Sequence, residues 1–150
     1  EPEALADPAF ANFMRFAEKR PLVPYRSEWR IFSEKFRVAG TLDFLACDNG
    51  RFELWDWKRS SKVVSPSGAP LLEGFRGKRA LKGVVAHIPD TSYWHYALQL
   101  SLYRYILETE YGISVGAGHL GVFHSDYPCP WVVDTPYLRD EAIAILNERL

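Results

Sequence analysis

Two carboxylates and a lysine on neighbouring strands are the residues of this chain best placed to do chemistry. Gly40-Thr41-Leu42-Asp43 is followed, thirteen residues beyond Asp43, by Asp56-Trp57-Lys58. In a strand, residues i and i+2 share a face. Asp56 and Lys58 therefore point one way, while Trp55 and Trp57 point the other. A phosphodiester is an anion that repels an anionic nucleophile. A bound Mg²⁺ or Mn²⁺ neutralises its oxygen and acidifies the attacking water. Asp43 and Asp56 offer the hard oxygen ligands such ions prefer, and the Trp57 backbone carbonyl could add another. Lys58 would position the water or stabilise the developing charge. A third carboxylate completes many such sites. Glu28, in Ser27-Glu28-Trp29, is the first choice and Glu34 the second. A lone Asp-x-Lys could equally be a salt-bridged surface strand. Against that, Asp43 interrupts an apolar strand and Asp56 lies within Leu-Trp-Asp-Trp, where an unpaired buried carboxylate is costly.

These residues need a scaffold. An apolar stripe through Leu5, Phe10, Phe13, Met14 and Ala17 predicts a helix over 3–19, ended by Pro21. Alternation predicts strands at 23–32, 35–47 and 51–58. Asn49-Gly50 turns the last two into an antiparallel pair carrying Asp43 and Asp56. In the long strand, Phe36, Val38, Gly40, Leu42, Phe44 and Ala46 should line one face, and Ala39, Thr41, Asp43 and Leu45 the other. Residues 60–90 read as a long loop with a short helix near 71–82. Residues 91–111 read as a core helix, apolar nearly all round, with Tyr96, Gln99, Tyr103 and Ile106 on one stripe and Gly112 as its C-cap. Strands at 113–124 and 130–134 follow. Thr135-Pro136 signals the start of a final helix over 137–149. The order predicts one α/β domain, a sheet flanked by helices.

Composition sets the bounds. A chain of 150 residues with 47 % hydrophobic and 15 % aromatic content is a folded domain. No apolar run reaches about 18 residues, so neither a membrane span nor a secretory leader is expected. Glu1 in place of an initiator Met, and Leu150 in a helical pattern, are read as a domain excised from a longer protein. Net charge is −1, yet Lys58, Arg59, Lys62, Arg76, Lys78, Arg79 and Lys82 face only Glu73 between positions 58 and 82, a local +6. Beside a candidate metal site, that segment is read as tracking phosphates. Tyr93, Trp94 and Tyr96 could stack unpaired bases, or could be core aromatics at a helix start. Cys47 and Cys129 form no CxxC, which fits a reducing, intracellular setting, whether cytoplasm, nucleus, mitochondrion or virus-infected cell. His87, His95, His119 and His124 have no zinc spacing, and His87 alone is a candidate substrate contact.

Gly40-x-x-Asp43, Asp56-x-Lys58 and Gln99-x-x-x-Tyr103, in that order, resemble the PD-(D/E)xK nuclease superfamily. Within it they resemble the RecB-like exonuclease branch of helicase-associated nucleases, CRISPR adaptation nucleases, phage-type exonucleases and the mitochondrial genome-maintenance exonuclease. The resemblance spans roughly residues 28–105, about half of the chain. It implies a restriction-endonuclease-like core with a central mixed sheet. It implies a divalent-metal-dependent DNA nuclease acting on single strands or ends in repair or recombination, and a helicase or other domain as partner. Gln99 and Tyr103 would support the site or contact DNA. Two isolated cysteines cannot supply the four-cysteine iron–sulfur cluster of some relatives. The first 86 residues contain no histidine to match the upstream metal ligand of others, which leaves one or two metal ions open. Two other readings stay in view. One is an inactive nuclease-fold module that binds nucleic acid or a partner. The other is an RNA endonuclease, which Gln99-x-x-x-Tyr103 disfavours.

Overall fold

The computed structural model describes residues 7–74 and 81–150. The chain is an α/β domain built on a five-stranded sheet in the order β1-β2-β3-β4-β5. Helix α1 (Pro8–Lys19) precedes β1 (Pro24–Ser33), β2 (Val38–Asp48) and β3 (Arg51–Lys58). A 3-10 turn at Gly83–Val85 leads into α2 (Ser92–Glu110), followed by β4 (Val115–Val122), β5 (Trp131–Thr135) and α3 (Arg139–Asn147). β3 and β4 run parallel and all other neighbours antiparallel, so the sheet is mixed. This is the arrangement expected of a restriction-endonuclease-like core. Among the described residues no helix is long and apolar enough to cross a membrane.

Each face of the sheet has its own core. Leu42, Leu45, Leu54, Leu120 and Val133 pack with Tyr93, Leu100, Ile106 and Leu107 of α2. On the opposite face, Ala46, Trp55 and Phe123 close over Phe16 of α1, with Phe13, Phe44 and Trp57 around them. The rings of Phe16 and Trp55 stand 5.4 Å apart, and those of Phe13 and Phe123 5.3 Å apart in an edge-to-face pair. The catalytic candidates are therefore borne on central strands with helices on both faces.

Local signals explain most boundaries. Asn49 (φ 50°) and Gly50 (φ 76°) form the left-handed pair a tight hairpin needs. The Thr91 hydroxyl accepts from Trp94 N at 3.3 Å and caps α2. At its other end Gly112 takes φ 65°, and Ile113 N donates to Leu107 O at 3.0 Å.

Several expectations are corrected. The described part of the first helix starts at Pro8, because the Asp7 carboxylate accepts from Ala9 N at 2.9 Å and Pro8 fits the first turn. The expected start at residue 3 falls among residues 1–6, outside the described residues. Thr135 does not begin the last helix. It pairs with Gly118 as the end of β5. The helix starts later, where Leu138 N donates to Ser101 Oγ of α2 at 3.0 Å, so a neighbouring helix supplies the missing cap. The short helix expected near 71–82 falls largely on residues 75–80, outside the described residues; 71–74 and 81–82 on either side are not helical. Val63 and Val64 are buried, and Val64 bridges to Pro70, so the segment after β3 begins anchored to the core.

The uniform alternation expected for β2 also fails, and it fails at Asp43. Leu42 packs on the α2 face, as does Leu45. Phe44 instead packs on the α1 face, 5.7 Å from the Trp57 ring. The strand therefore exchanges faces between Leu42 and Phe44. Opposite this point, between the pairs Ser27↔Phe44 and Trp29↔Leu42, Glu28 adopts φ 46°. A left-handed residue in one strand facing a face change in its partner marks a kink shared by both.

Candidate active site

The ladder between β2 and β3 ends at Phe44↔Trp55. Continued by one step, the same register would pair Asp43 with Asp56. The strands part there instead. The Trp57 N–H, which a continued β2 would have met with backbone, donates to Asp43 Oδ2 at 2.8 Å. A side chain thus occupies the fork, and two carboxylates meet in it.

Asp56 is 5 % exposed, and its Oδ2 lies 2.7 Å from Lys58 Nζ. At that distance the two form a close ion pair, largely shielded from water. Burial pushes the Asp56 carboxyl up to about 6. Lys58 pulls against that rise and the Asp43 charge adds to it. Lys58 Nζ also sits 4.0 Å from the centre of the Tyr96 ring. Asp56 and Lys58 share a face, as period two requires.

Helix α2 roofs the fork. Gln99 Nε2 donates to the Tyr103 hydroxyl at 3.2 Å, one helical turn away. Burial raises the Tyr103 pKa. The Gln99 bond and Lys58 lower it, and the charges of Asp56 and Asp43 raise it further, so the phenol lies within the field of all three site residues. Gly40 makes this approach possible. A Cβ there would overlap Tyr103 Cε1 and stand 2.9 Å from the hydroxyl oxygen. The first and third motifs therefore fit together sterically across the site.

The donor set suits a hard divalent cation. Asp43 and Asp56 converge at the fork, both of them hard oxygen donors. The backbone of Trp57 lies at the same fork. No set of three His, Cys, Asp or Glu side chains converges among the described residues. Glu28 stands opposite Asp43 in register, but it is exposed and its backbone is left-handed. It is not gathered with the two aspartates. Glu34 lies in the β1–β2 turn and lines a cleft with Phe32, Glu110 and Tyr111 at the far end of α2.

The basic segment divides. Arg59 projects opposite to Lys58 and pairs with the α1 cap, Nη2 to Asp7 Oδ2 at 2.7 Å. Lys62 is exposed beside Ser60, whose Oγ accepts from its backbone N–H. Arg76, Lys78 and Arg79 lie outside the described residues. Tyr93 has no face free for a base. It is buried, and its hydroxyl donates to Asp134 O at 2.9 Å, so the core reading of this ring prevails. His87 is held by Glu141 of α3 at 2.9 Å, away from the aspartates. The residue that sequence reasoning undervalued is Tyr96. Its signal was present, for Tyr96, Gln99 and Tyr103 follow helical spacing on one stripe.

No protein-family model matches this chain, and no curated protein is significantly similar to it.

Proposed function

We propose that this chain is a divalent-metal-dependent nuclease of the PD-(D/E)xK type, hydrolysing DNA phosphodiester bonds in the manner of RecB-like exonucleases on single strands or ends. One observation carries the reading: Asp43, Asp56 and Lys58 meet where β2 and β3 part, beneath Gln99 and Tyr103. Asp43 and Asp56 would hold Mg²⁺ or Mn²⁺, with the Trp57 carbonyl as a further oxygen. When bound, such a metal would supply charge neutralisation at the phosphate and an acidified water. Lys58 offers an ammonium that can orient that water or meet charge developing on the phosphoryl oxygens. Gln99 fixes the Tyr103 hydroxyl beside the carboxylates. Arg59 and Lys62, at the exit of β3, are exposed cations for the strand backbone.

A second reading is an inactive module of the same fold that binds nucleic acid or a partner. The absence of a third converging carboxylate among the described residues favours it. Cleavage of 5′- and 3′-labelled single- and double-stranded DNA in Mg²⁺, Mn²⁺ or EDTA separates the two. The nuclease reading expects metal-dependent cleavage whose label pattern gives polarity. DNA retention without cleavage in any metal would select the module.

A further inference from the structure

The Lys58 ammonium has two partners of different kinds. One is Asp56 Oδ2 at 2.7 Å, and the other is the face of the Tyr96 ring at 4.0 Å. Its side chain is only 19 % exposed, so water supplies little of its solvation. Asp56 is also a ligand in the nuclease reading. With its oxygens committed to a divalent cation, Asp56 would attract Lys58 less, and the cation would add like charge. The aromatic face remains, and its quadrupole attracts a cation without competing for the metal.

We propose that Tyr96 is a positioning residue for Lys58, its ring holding the ammonium at the Asp43–Asp56 fork while the carboxylates serve the metal. This inference rests on the nuclease reading. Tyr96 is suited to the task because α2 fixes it by helical spacing on the stripe of Gln99 and Tyr103, three and seven residues on. The contact is made by the face of the ring, a feature that phenylalanine would keep.

The test compares wild type, Tyr96→Phe, Tyr96→Leu and Tyr96→Met, each checked for native thermal unfolding. In metal-free protein, NMR should show the Lys58 side-chain CH₂ protons shifted upfield by the ring in wild type and Tyr96→Phe. Both aliphatic variants should lose that shift. In Mn²⁺ with single-stranded DNA, Tyr96→Phe should cleave like wild type. Tyr96→Leu and Tyr96→Met should lose about tenfold in kcat with KM nearly unchanged, the size expected for a partly desolvated cation–aromatic contact. Full kcat in the aliphatic variants, with the ring shift gone, overturns the positioning role and leaves the nuclease reading standing. A wild type that cleaves in no metal overturns the nuclease reading and this inference with it, whatever the NMR shows.

Discussion

Gly40 on β2 and Tyr103 on α2 touch so closely that a side chain at position 40 would force the phenol to shift: a Cβ there would stand 2.9 Å from the phenol oxygen. The same tyrosine takes a hydrogen bond from Gln99 and lies in the field of Asp43 and Asp56. Gly40 therefore sets how near α2 comes to the carboxylates. Gly40→Ala should destabilise the protein by about 1–3 kcal/mol through overpacking. Adding Tyr103→Leu should recover part of that loss, a non-additivity read by thermal unfolding of the single and double variants. Additive losses would show that the two residues do not share the space.

Asp56 links the site to pH. Its folded pKa, about 6, lies above its ordinary 3.8 because burial disfavours the charge. The folded state therefore binds this proton more tightly than the unfolded state. Its contribution to stability is fully present below about pH 4 and is lost as pH rises through 6. Metal-free Asp56→Asn escapes that loss. Its unfolding free energy should gain on wild type between pH 4 and 7, by on the order of 1–3 kcal/mol. A difference that stays flat across this window contradicts the buried-charge account. Metal binding runs the other way. Protons compete for the carboxylate, so Mn²⁺ affinity by calorimetry should fall below pH 6 in wild type and be absent in Asp43→Asn and Asp56→Asn.

Glu28 occupies a left-handed backbone conformation with an exposed side chain. Glu28→Gly should relieve the backbone, raising stability by about 1 kcal/mol. Glu28→Gln should leave cleavage within about threefold of wild type, the modest effect usual for an exposed surface substitution. A loss of a hundredfold or more in Glu28→Gln would restore this residue as the third ligand.

Much of this site was legible because its parts are local. Period two places Asp56 and Lys58 on one face, a four-residue helical step places Gln99 beside Tyr103, and Asn49-Gly50 joins the strands that carry the aspartates. What was not legible depends on tertiary partners. The face change at Asp43 is shared with Glu28, a partner that no alternation within β2 could reveal. Thr135 has the residue type of a helix cap, yet pairing with Gly118 holds it in the sheet while Ser101 caps α3 from another helix. Tyr93 looked free to stack because its partner, the Asp134 carbonyl, lies 41 residues away.

The most direct test of the central claim sets Lys58→Ala beside wild type on end-labelled single-stranded DNA in Mn²⁺, with metal affinity measured on both proteins. The account predicts metal-dependent cleavage in wild type, lost by a hundredfold or more in Lys58→Ala, as for removal of a group that stabilises transition-state charge. It also predicts that the variant keeps its fold and most of its metal affinity, because Asp43 and Asp56 remain. Lys58→Ala cleaving as fast as wild type would contradict the assignment of this fork as the active site.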